Sequence, residues 1–251
     1  MKAIILAAGY ATRLYPLTIN TPKALLPINK KPIIDYIVEQ LNTIAEIDAI
    51  YVVTNSRFAD DFTQWAKTAP SQIPITVLDD GTTSDENKKG AVGDIGFVIA
   101  QMQIDDELLI IAGDNFFTYS LQDYVNFYRE KNHDCVCVKE WQDKSMLSQF
   151  GIALLDENNK VLDIEEKPKN PKSNTAVFAT YLYQKETVPL FKEYLDAGNN
   201  PDAPGNFPAW LYHRKDVYAY KFAGECYDIG TPESYREVCR LYETDETSYN
   251  K

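Results

Sequence analysis

The chain is poor in the residues that build zinc sites and disulfide frameworks. Its 251 residues include two histidines, His133 and His213, and four cysteines. None of them falls in a C-x-x-C pair or an H-E-x-x-H run, the spacings that zinc ligands usually show. Cys135 and Cys137 alternate within one strand-like stretch, so they share a face, where buried thiols are commoner than disulfide partners. We therefore expect neither a structural zinc site nor a disulfide framework.

Long apolar runs and basic charge are also scarce. No run approaches the roughly 18 apolar residues of a membrane span, and the run at residues 3–8 is shorter than the core of a typical signal peptide. The 25 Lys and Arg residues face 37 Asp and Glu, a net charge of −12 that disfavours general affinity for nucleic acid or anionic lipid. We expect a reduced, cytoplasmic protein that binds neither nucleic acid nor membranes and meets anionic ligands with a local basic site.

The chain does contain a regular alternation of short apolar strands and amphipathic helices. The apolar run at residues 2–8 predicts a strand buried on both faces, and residues 33–44 repeat at helical spacing behind Pro32. Further strands are predicted at 49–53, 75–78, 108–112, 135–141, 151–155, 161–165, 176–183 and 217–222, and further helices at 59–67, 95–102, 121–129, 187–195, 207–213 and 232–242. The first half is α/β with a doubly wound, mainly parallel sheet, and the second half is mixed α+β.

The segment between residues 9 and 31 concentrates basic side chains in this acidic chain. It follows the carboxyl end of a strand, where open α/β sheets bind ligands, and it contains Arg13 and Lys23. These residues suit a polyphosphate, although either one alone would be typical of a surface loop. The segment lacks G-x-G-x-x-G, and the chain has no G-K-[ST], so a dinucleotide site of the Rossmann type and a P-loop are disfavoured.

Two stretches of this segment carry a recognisable signature. Residues 6–18, Leu-Ala-Ala-Gly-Tyr-Ala-Thr-Arg-Leu-Tyr-Pro-Leu-Thr, and residues 21–27, Thr-Pro-Lys-Ala-Leu-Leu-Pro, closely resemble the L-A-A-G-x-G-T-R-L-x-P-x-T…P-K-x-L-x-P signature of sugar-1-phosphate nucleotidylyltransferases. Ala11 stands where the family usually has glycine. Gly-Asp-Asn at 113–115, Ile-Glu-Glu-Lys-Pro at 164–168 and Tyr-Asp-Ile-Gly-Thr-Pro at 227–232 match in family order, so the resemblance covers nearly the whole chain. It is strongest to glucose-1-phosphate thymidylyltransferases.

The resemblance implies a reaction and the residues that carry it. A nucleoside triphosphate, with dTTP or UTP favoured, would react with a sugar 1-phosphate, with glucose 1-phosphate favoured, to give an NDP-sugar and pyrophosphate. Mg²⁺ would be held by Asp114 and Asp228, as one or two carboxylates with phosphate oxygens suit this ion. Arg13 would hold the leaving pyrophosphate, Lys23 would bridge the phosphates and Lys167 would orient the nucleophile.

The resemblance also implies binding residues and an organisation. The nucleotide-binding residues would be Leu6, Ala7, Ala8, Gly9, Tyr10, Ala11, Thr12, Gly90 and Asp114, and the sugar-phosphate-binding residues Asn115, Gly151, Glu166 and Lys167. Residues 90–94, which begin with Gly90, loosely match the G-T-A or G-L-A element that the family carries near the nucleoside. The glutamine with which some members read the base has no clear counterpart at residues 80–84. We predict a single Rossmann-like domain at 1–242, mainly nucleotide-binding at 1–133 and mainly sugar-phosphate-binding at 134–242, with a polar tail at 243–251.

Three alternatives remain open at this point. A cytidylyl- or guanylyltransferase could use the same phosphate machinery on another sugar phosphate, and a transferase of phosphocholine shares the N-terminal signature. A non-catalytic homologue that binds a sugar nucleotide as a regulatory subunit is the third. The complete set of Arg13, Lys23, Asp114 and Asp228 speaks against a pure binder, which has no need of a metal and pyrophosphate apparatus. We expect a monomer or a small homo-oligomer.

Overall fold

The computed structural model describes residues 1–142 and 144–243, with the side chains of Lys144, Ser145 and Asp228 left out of the description. The predicted polar tail therefore lies outside the described residues from position 244 onward.

Strands and helices alternate along the described chain much as the apolar pattern predicts. The strands are β1 (Lys2–Leu6), β2 (Pro27–Ile28), β3 (Lys31–Pro32), β4 (Ala49–Thr54), β5 (Ile75–Asp79), β6 (Leu108–Ala112), β7 (Asn115–Phe117), β8 (Asp134–Glu140), β9 (Gly151–Leu155), β10 (Val161–Glu166), β11 (Thr175–Tyr183), β12 (Val217–Lys221) and β13 (Cys226–Asp228). The helices are α1 (Ile33–Leu41), α2 (Ala59–Ala66), α3 (Ala91–Met102), α4 (Leu121–Lys131), α5 (Val188–Asp196), α6 (Asn206–Leu211) and α7 (Pro232–Tyr242).

The central sheet is mixed. Its strands lie in the order β10-β9-β11-β6-β1-β4-β5, and β8 pairs with both β11 and β12. The strands β6, β1, β4 and β5 are parallel, whereas β11 runs antiparallel to β6 and to β9, and β9 to β10. The predicted doubly wound α/β fold is confirmed, with the antiparallel pairs concentrated in the second half of the chain.

Two helical layers cover the sheet because the central strands are apolar on both faces. In β1, Ile5 packs with α1, α2 and α4 in one core cluster, whereas Ile4 packs with α3, α5 and α6 in another. Both residues are fully buried. A third, smaller cluster joins Leu14 of the basic segment to Phe116 of β7 and Val238 of α7.

The start of α3 corrects one predicted boundary. The helix begins at Ala91 and not at residue 95, so the stretch predicted to precede it forms its first turn. The Ala91 and Val92 N–H groups donate to the carbonyls of Asp202 and Pro201, both at 2.9 Å. A distant loop thus caps the helix, a role that local sequence signals usually assign to a capping side chain.

Two pairs of short strands are absent from the predicted elements. β2 pairs with β3, and β7 pairs with β13 so that Asp228 lies opposite Asn115. Strands of two or three residues are too short to show an alternating pattern, which is why the apolar periodicity does not reveal them.

Other expectations concern the thiols and membrane spans. All four cysteines are free, and Cys135 and Cys137 are both buried on the same face of β8, as predicted. Across residues 1–142 and 144–243, no helix combines the length and apolar character needed to cross a membrane.

One buried amide joins two of the loops at the carboxyl edge of the sheet. The fully buried Asn55 donates from Nδ2 to the Ala8 carbonyl at 2.9 Å and accepts from the Phe58 N–H at 3.2 Å. We expect Asn55→Ala to lower the free energy of unfolding by about 2 kcal/mol, because the Ala8 carbonyl loses its donor. Urea denaturation measures this, with the exposed Asn158→Ala as control. Equal unfolding midpoints for the two variants would contradict the prediction.

Candidate active site

The carboxyl ends of the parallel strands meet at one edge of the sheet, where they form a cavity of about 420 Å³. Its walls come from residues 6–14 after β1, from the segment that leads into α3, and from the residues that follow β6. Its lining residues include Tyr10, Lys23, Gly90, Asp94, Asp114 and Asp202.

The basic segment after β1 is an ordered loop built on a left-handed residue. Ala11 has φ 48° and ψ 41° and precedes a short 3-10 turn at Thr12–Leu14. The Thr18 hydroxyl donates to the Ala11 carbonyl at 2.8 Å, and the buried Leu14 anchors the turn in the third core cluster. A left-handed backbone favours glycine, which is a physical reason for glycine at this position in the signature. The turn leaves Arg13 exposed at the cavity.

Lys23 and Asp114 meet at the centre of the site. Lys23 is buried in a 3-10 turn at Lys23–Leu25, and its Nζ lies 2.7 Å from Asp114 Oδ2. Asp114 follows β6 through Gly113, whose N–H donates to the Leu6 carbonyl at 2.8 Å. A Cβ at Gly113 would lie 2.9 Å from Ile5 Cγ2, so glycine is needed for this close approach. The approach brings Asp114 against the loop after β1.

The second predicted metal ligand, Asp228, has its side chain outside the described residues. Its backbone pairs with Asn115, the neighbour of Asp114, through the ladder between β13 and β7. Among the side chains that the structure describes, no group of three or more His, Cys, Asp or Glu residues could hold a metal ion.

A second cavity, of about 290 Å³, adjoins the first. Asn115, Gly151, Glu166 and Lys167 are among its lining residues. Asp114 and Asp202 line both cavities, so the two spaces meet beside Asp114.

Two glycines leave room for the Glu166 carboxylate in the second cavity. A Cβ at Gly205 would lie 2.0 Å from Glu166 Oε2, and one at Gly151 would lie 2.9 Å from it. Burial raises the pKa of Glu166, and the nearby charge of Lys167 lowers it by less. Lys167 Nζ lies 3.9 Å from Glu166 Oε1 and is well exposed, so its ammonium can turn to a ligand.

The predicted site residues line the two cavities. The first cavity is lined by every predicted nucleotide-binding residue, Leu6, Ala7, Ala8, Gly9, Tyr10, Ala11, Thr12, Gly90 and Asp114, and also by Arg13 and Lys23. The second is lined by all four predicted sugar-phosphate residues. The structure therefore gathers these residues in two adjoining spaces, and their individual roles stay predictions.

A pair of buried carboxyl groups is a feature that sequence reasoning missed. Asp80 follows β5 and Asp94 lies in the first turn of α3, and only 4% and 6% of their surfaces are exposed. Burial and the facing Asp80 carboxyl raise the pKa of Asp94 to about 8. Asp80 Oδ2 and Asp94 Oδ1 are both buried without a hydrogen-bond donor. A proton on Asp94 that is shared with Asp80 would satisfy both atoms, and with its raised pKa we expect Asp94 to be a neutral acid at pH 7.

Asp202 was also missed, because it reaches the nucleotide side from the second half of the chain. Its carboxylate lies 3.0 Å from Lys88 Nζ. A Cβ at Gly90 would lie 2.5 Å from the Pro201 carbonyl, and Gly90 has φ 78°, so both space and conformation require glycine there. Contacts between segments a hundred residues apart have no local sequence signal.

The buried pair has a consequence for stability. The pKa of Asp94 is about 8 in the folded protein against an ordinary value of 3.8, so the folded state keeps a proton that the unfolded state releases between these values. The contribution of Asp94 to stability is therefore full at low pH and is lost as the pH rises towards 8. We expect the free energy of unfolding of Asp94→Asn, relative to wild type, to increase by at least about 1 kcal/mol between pH 5 and pH 8.

Urea denaturation at several pH values tests this expectation. The exposed variant Asp61→Asn is the control for loss of one carboxylate, and its stability should follow that of the wild type. Parallel pH profiles for Asp94→Asn and wild type would show that Asp94 titrates normally.

The chain is similar in sequence to known proteins over nearly its whole length. A family model described as Nucleotidyl transferase matches residues 2–245. The glucose-1-phosphate thymidylyltransferase of Neisseria meningitidis is 29% identical over 259 residues, which cover 100% of this chain and 85% of that protein. The UTP–glucose-1-phosphate uridylyltransferase of Synechocystis is 27% identical over 249 residues, covering 96% of this chain and 63% of that protein.

Solved structures show the same fold. A UDP-glucose pyrophosphorylase complexed with UDP-glucose matches with a TM-score of 0.82 at 23% identity, over 96% of this chain and 97% of that chain. Some curated relatives are longer, since the chain spans 52% to 63% of the length of three of them.

Proposed function

Because the chain belongs to the nucleotidyl transferase family, we propose that it joins a nucleoside triphosphate to a sugar 1-phosphate and releases an NDP-sugar and pyrophosphate. The observation that carries this proposal is the meeting of two cavities beside Asp114. The larger one would hold the nucleotide and the smaller one the sugar phosphate. A transfer between two phosphorylated substrates needs such an arrangement, in which each has its own space and the reacting phosphates share a border.

The reaction balances without an added acid or base. An oxygen of the sugar 1-phosphate attacks the α-phosphorus, a new phosphorus–oxygen bond forms, and the bond to the bridging oxygen of the β-phosphate breaks. Pyrophosphate leaves with that oxygen. A phosphate monoester is already largely ionised near pH 7, so the nucleophile needs no general base. The protein has to position two anions and offset their repulsion, the effects that dominate phosphoryl transfer.

Three cations are placed for this work. Arg13 is exposed at the first cavity, where it would hold the leaving pyrophosphate. Lys23 is buried at the border of the cavities, where it would bridge the phosphates. Lys167 lines the second cavity with an exposed ammonium, which would orient the sugar phosphate. Glu166, beside it, would accept hydrogen bonds from sugar hydroxyls.

The residues fit a divalent cation, and Mg²⁺ is the ion we propose. Asp114 has a partly exposed carboxylate at the border of both cavities, and the backbone of Asp228 pairs with Asn115, the residue that follows Asp114. One or two carboxylates completed by phosphate oxygens and water suit Mg²⁺. When bound, the ion would polarise the α-phosphoryl group. Asp114 would hold the ion, and Lys23, whose Nζ lies 2.7 Å from Asp114 Oδ2, would bridge the phosphates beside it.

The favoured substrates are dTTP or UTP and glucose 1-phosphate. The thymidylyltransferase and uridylyltransferase relatives are both named for glucose 1-phosphate. Residues 1–133 would supply most of the nucleotide site and residues 134–242 most of the sugar-phosphate site, within one domain. Four free thiols support a cytoplasmic setting.

The activity is tested by pyrophosphate release from dTTP, UTP, CTP, ATP and GTP, each combined with several sugar 1-phosphates and with phosphocholine. We expect one combination of dTTP or UTP with glucose 1-phosphate to react in Mg²⁺ and to stop in EDTA. If CTP or GTP were the only nucleotide to react, the proposed nucleotide substrates would be wrong. Nucleotide binding without any turnover would contradict the enzymatic proposal and favour the regulatory homologue.

The roles of two residues are tested by substitution. We expect Lys23→Ala and Asp114→Asn each to lower kcat/KM by about 100-fold or more, because each removes a fixed charge at the reacting phosphates. The exposed controls Lys67→Ala and Asp60→Asn, both on or beside α2, should retain wild-type activity. Thermal unfolding shows whether all four variants are folded. Near-wild-type turnover of a folded Lys23→Ala or Asp114→Asn variant would remove that residue from the mechanism.

A further inference from the structure

The order of the strands gives the first cavity two chemically different ends. Asp114 follows β6, and Asp80 follows β5, three strands further along the same edge. Three strand spacings of roughly 4.8 Å separate these strands by about 14 Å. If phosphates lie at Lys23 and Asp114, as the proposed function requires, the part of the nucleotide that extends towards β5 is the nucleobase.

A chain of hydrogen bonds starts at Tyr10, which lines the cavity, and continues through Thr82 to Asp80. The Tyr10 hydroxyl donates to Thr82 Oγ1 at 3.2 Å. Thr82 donates in turn to Asp80 Oδ1 from both its N–H and its hydroxyl, each at 2.7 Å. Asp80 is therefore oriented through Oδ1, and its Oδ2, which is buried without a donor, is the oxygen left for the neighbouring Asp94.

Asp94 lies between Asp80 and the cavity. It lines the cavity, whereas its Oδ1 is buried without a donor, as is Asp80 Oδ2. Asp80 accepts two hydrogen bonds and is the better placed of the two to carry the charge. The shared proton then belongs to Asp94 Oδ1 and is donated to Asp80 Oδ2. The other oxygen of Asp94, Oδ2, is the atom left for the cavity, and in the neutral acid it is a hydrogen-bond acceptor.

We propose that Asp94 is a specificity-determining residue, whose Oδ2 accepts a hydrogen bond from an N–H group on the edge of the nucleobase, and that Asp80 is its positioning residue. For uracil or thymine this group is the imide N3–H. The proposal rests on the proposed function, because that function supplies the nucleotide and its orientation.

A neutral acid suits this edge better than an ionised one. The N3–H of uracil and thymine is flanked by two carbonyl oxygens, which a carboxylate would repel. An ionised Asp94 would also add a negative charge to a cavity that receives a triphosphate. Asp80 raises the pKa of Asp94 and Lys89 lowers it. Besides Arg13, Lys23 and Asp114, the other charged side chains that line the cavity are Asp85, Lys88 and Asp202, and the titratable Tyr10 lines it as well.

Substitution of Asp94 by asparagine or by leucine distinguishes the effect of the hydrogen bond from the effect of side-chain size. Asparagine can donate from Nδ2 to Asp80 Oδ2 and present its carbonyl oxygen to the cavity, as the neutral acid does. Leucine has a similar size and presents no acceptor. Asp94→Asn should therefore keep the recognition of the base, and Asp94→Leu should lose it.

The test is calorimetric binding of UTP and of N3-methyl-UTP, with dTTP and its N3-methyl form as a second pair. In the wild type and in Asp94→Asn, we expect methylation to weaken binding by about tenfold or more. In Asp94→Leu, UTP itself should bind about tenfold more weakly than to wild type, and the methylated and unmethylated forms should bind within about twofold of each other. Glu86→Gln, a change of an exposed residue in the segment between β5 and α3, should behave as wild type.

A pH series adds an independent readout. Binding of UTP to the wild type should weaken as the pH rises through about 8, where Asp94 ionises, and binding to Asp94→Asn should stay level. A structural role alone would give Asp94→Leu a uniform loss of affinity that leaves the effect of N3-methylation unchanged, and this result would overturn the proposal. Loss of discrimination in Asp94→Asn as complete as in Asp94→Leu would overturn it as well.

These measurements need no turnover, so they separate the inference from the proposed activity. A protein that discriminates N3-methyl-UTP through Asp94 but releases no pyrophosphate would contradict the transferase activity and support the role of Asp94. A wild-type protein that binds neither UTP nor dTTP would contradict both.

Discussion

The ion pair between Lys23 and Asp114 is the contact on which the organisation of both cavities depends. It joins the turn at Lys23–Leu25 to the end of β6 at a distance of 2.7 Å. Asp114 lines both cavities, so the pair lies where two phosphorylated ligands would meet. An acidic chain with a net charge of −12 can bind two anions only by concentrating cations at such a point.

Close backbone approach is the second constraint, and glycine is the residue that permits it. Gly113 lets the end of β6 pass against β1, Gly90 lets the start of α3 lie under the loop at residues 201–202, and Gly205 makes room for Glu166. A Cβ at any of the three would come within 3 Å of another atom. The loops of the two halves of the chain are therefore packed together around the site, and Asp202 reaches the nucleotide side for this reason.

Much of this architecture could be predicted from the sequence, because its signals are local. The apolar strands and the helical spacing at α1 predict the sheet and its helices, and the signature at residues 6–27 points to the loop that forms the first cavity. The start of α3 was placed too late, because its cap comes from Asp202 and Pro201. Asp80 and Asp94 carry no local sequence signal, since only the fold brings their side chains together.

In the proposed mechanism, the two cavities hold the two halves of one product on either side of Asp114. A crystal structure with UDP-glucose or dTDP-glucose and Mg²⁺ tests this most directly. We predict the diphosphate beside Lys23 and Asp114, the base towards Asp94 in the larger cavity, and the sugar beside Glu166 in the smaller one. A product bound with its sugar in the larger cavity, or bound away from Asp114, would contradict the mechanism.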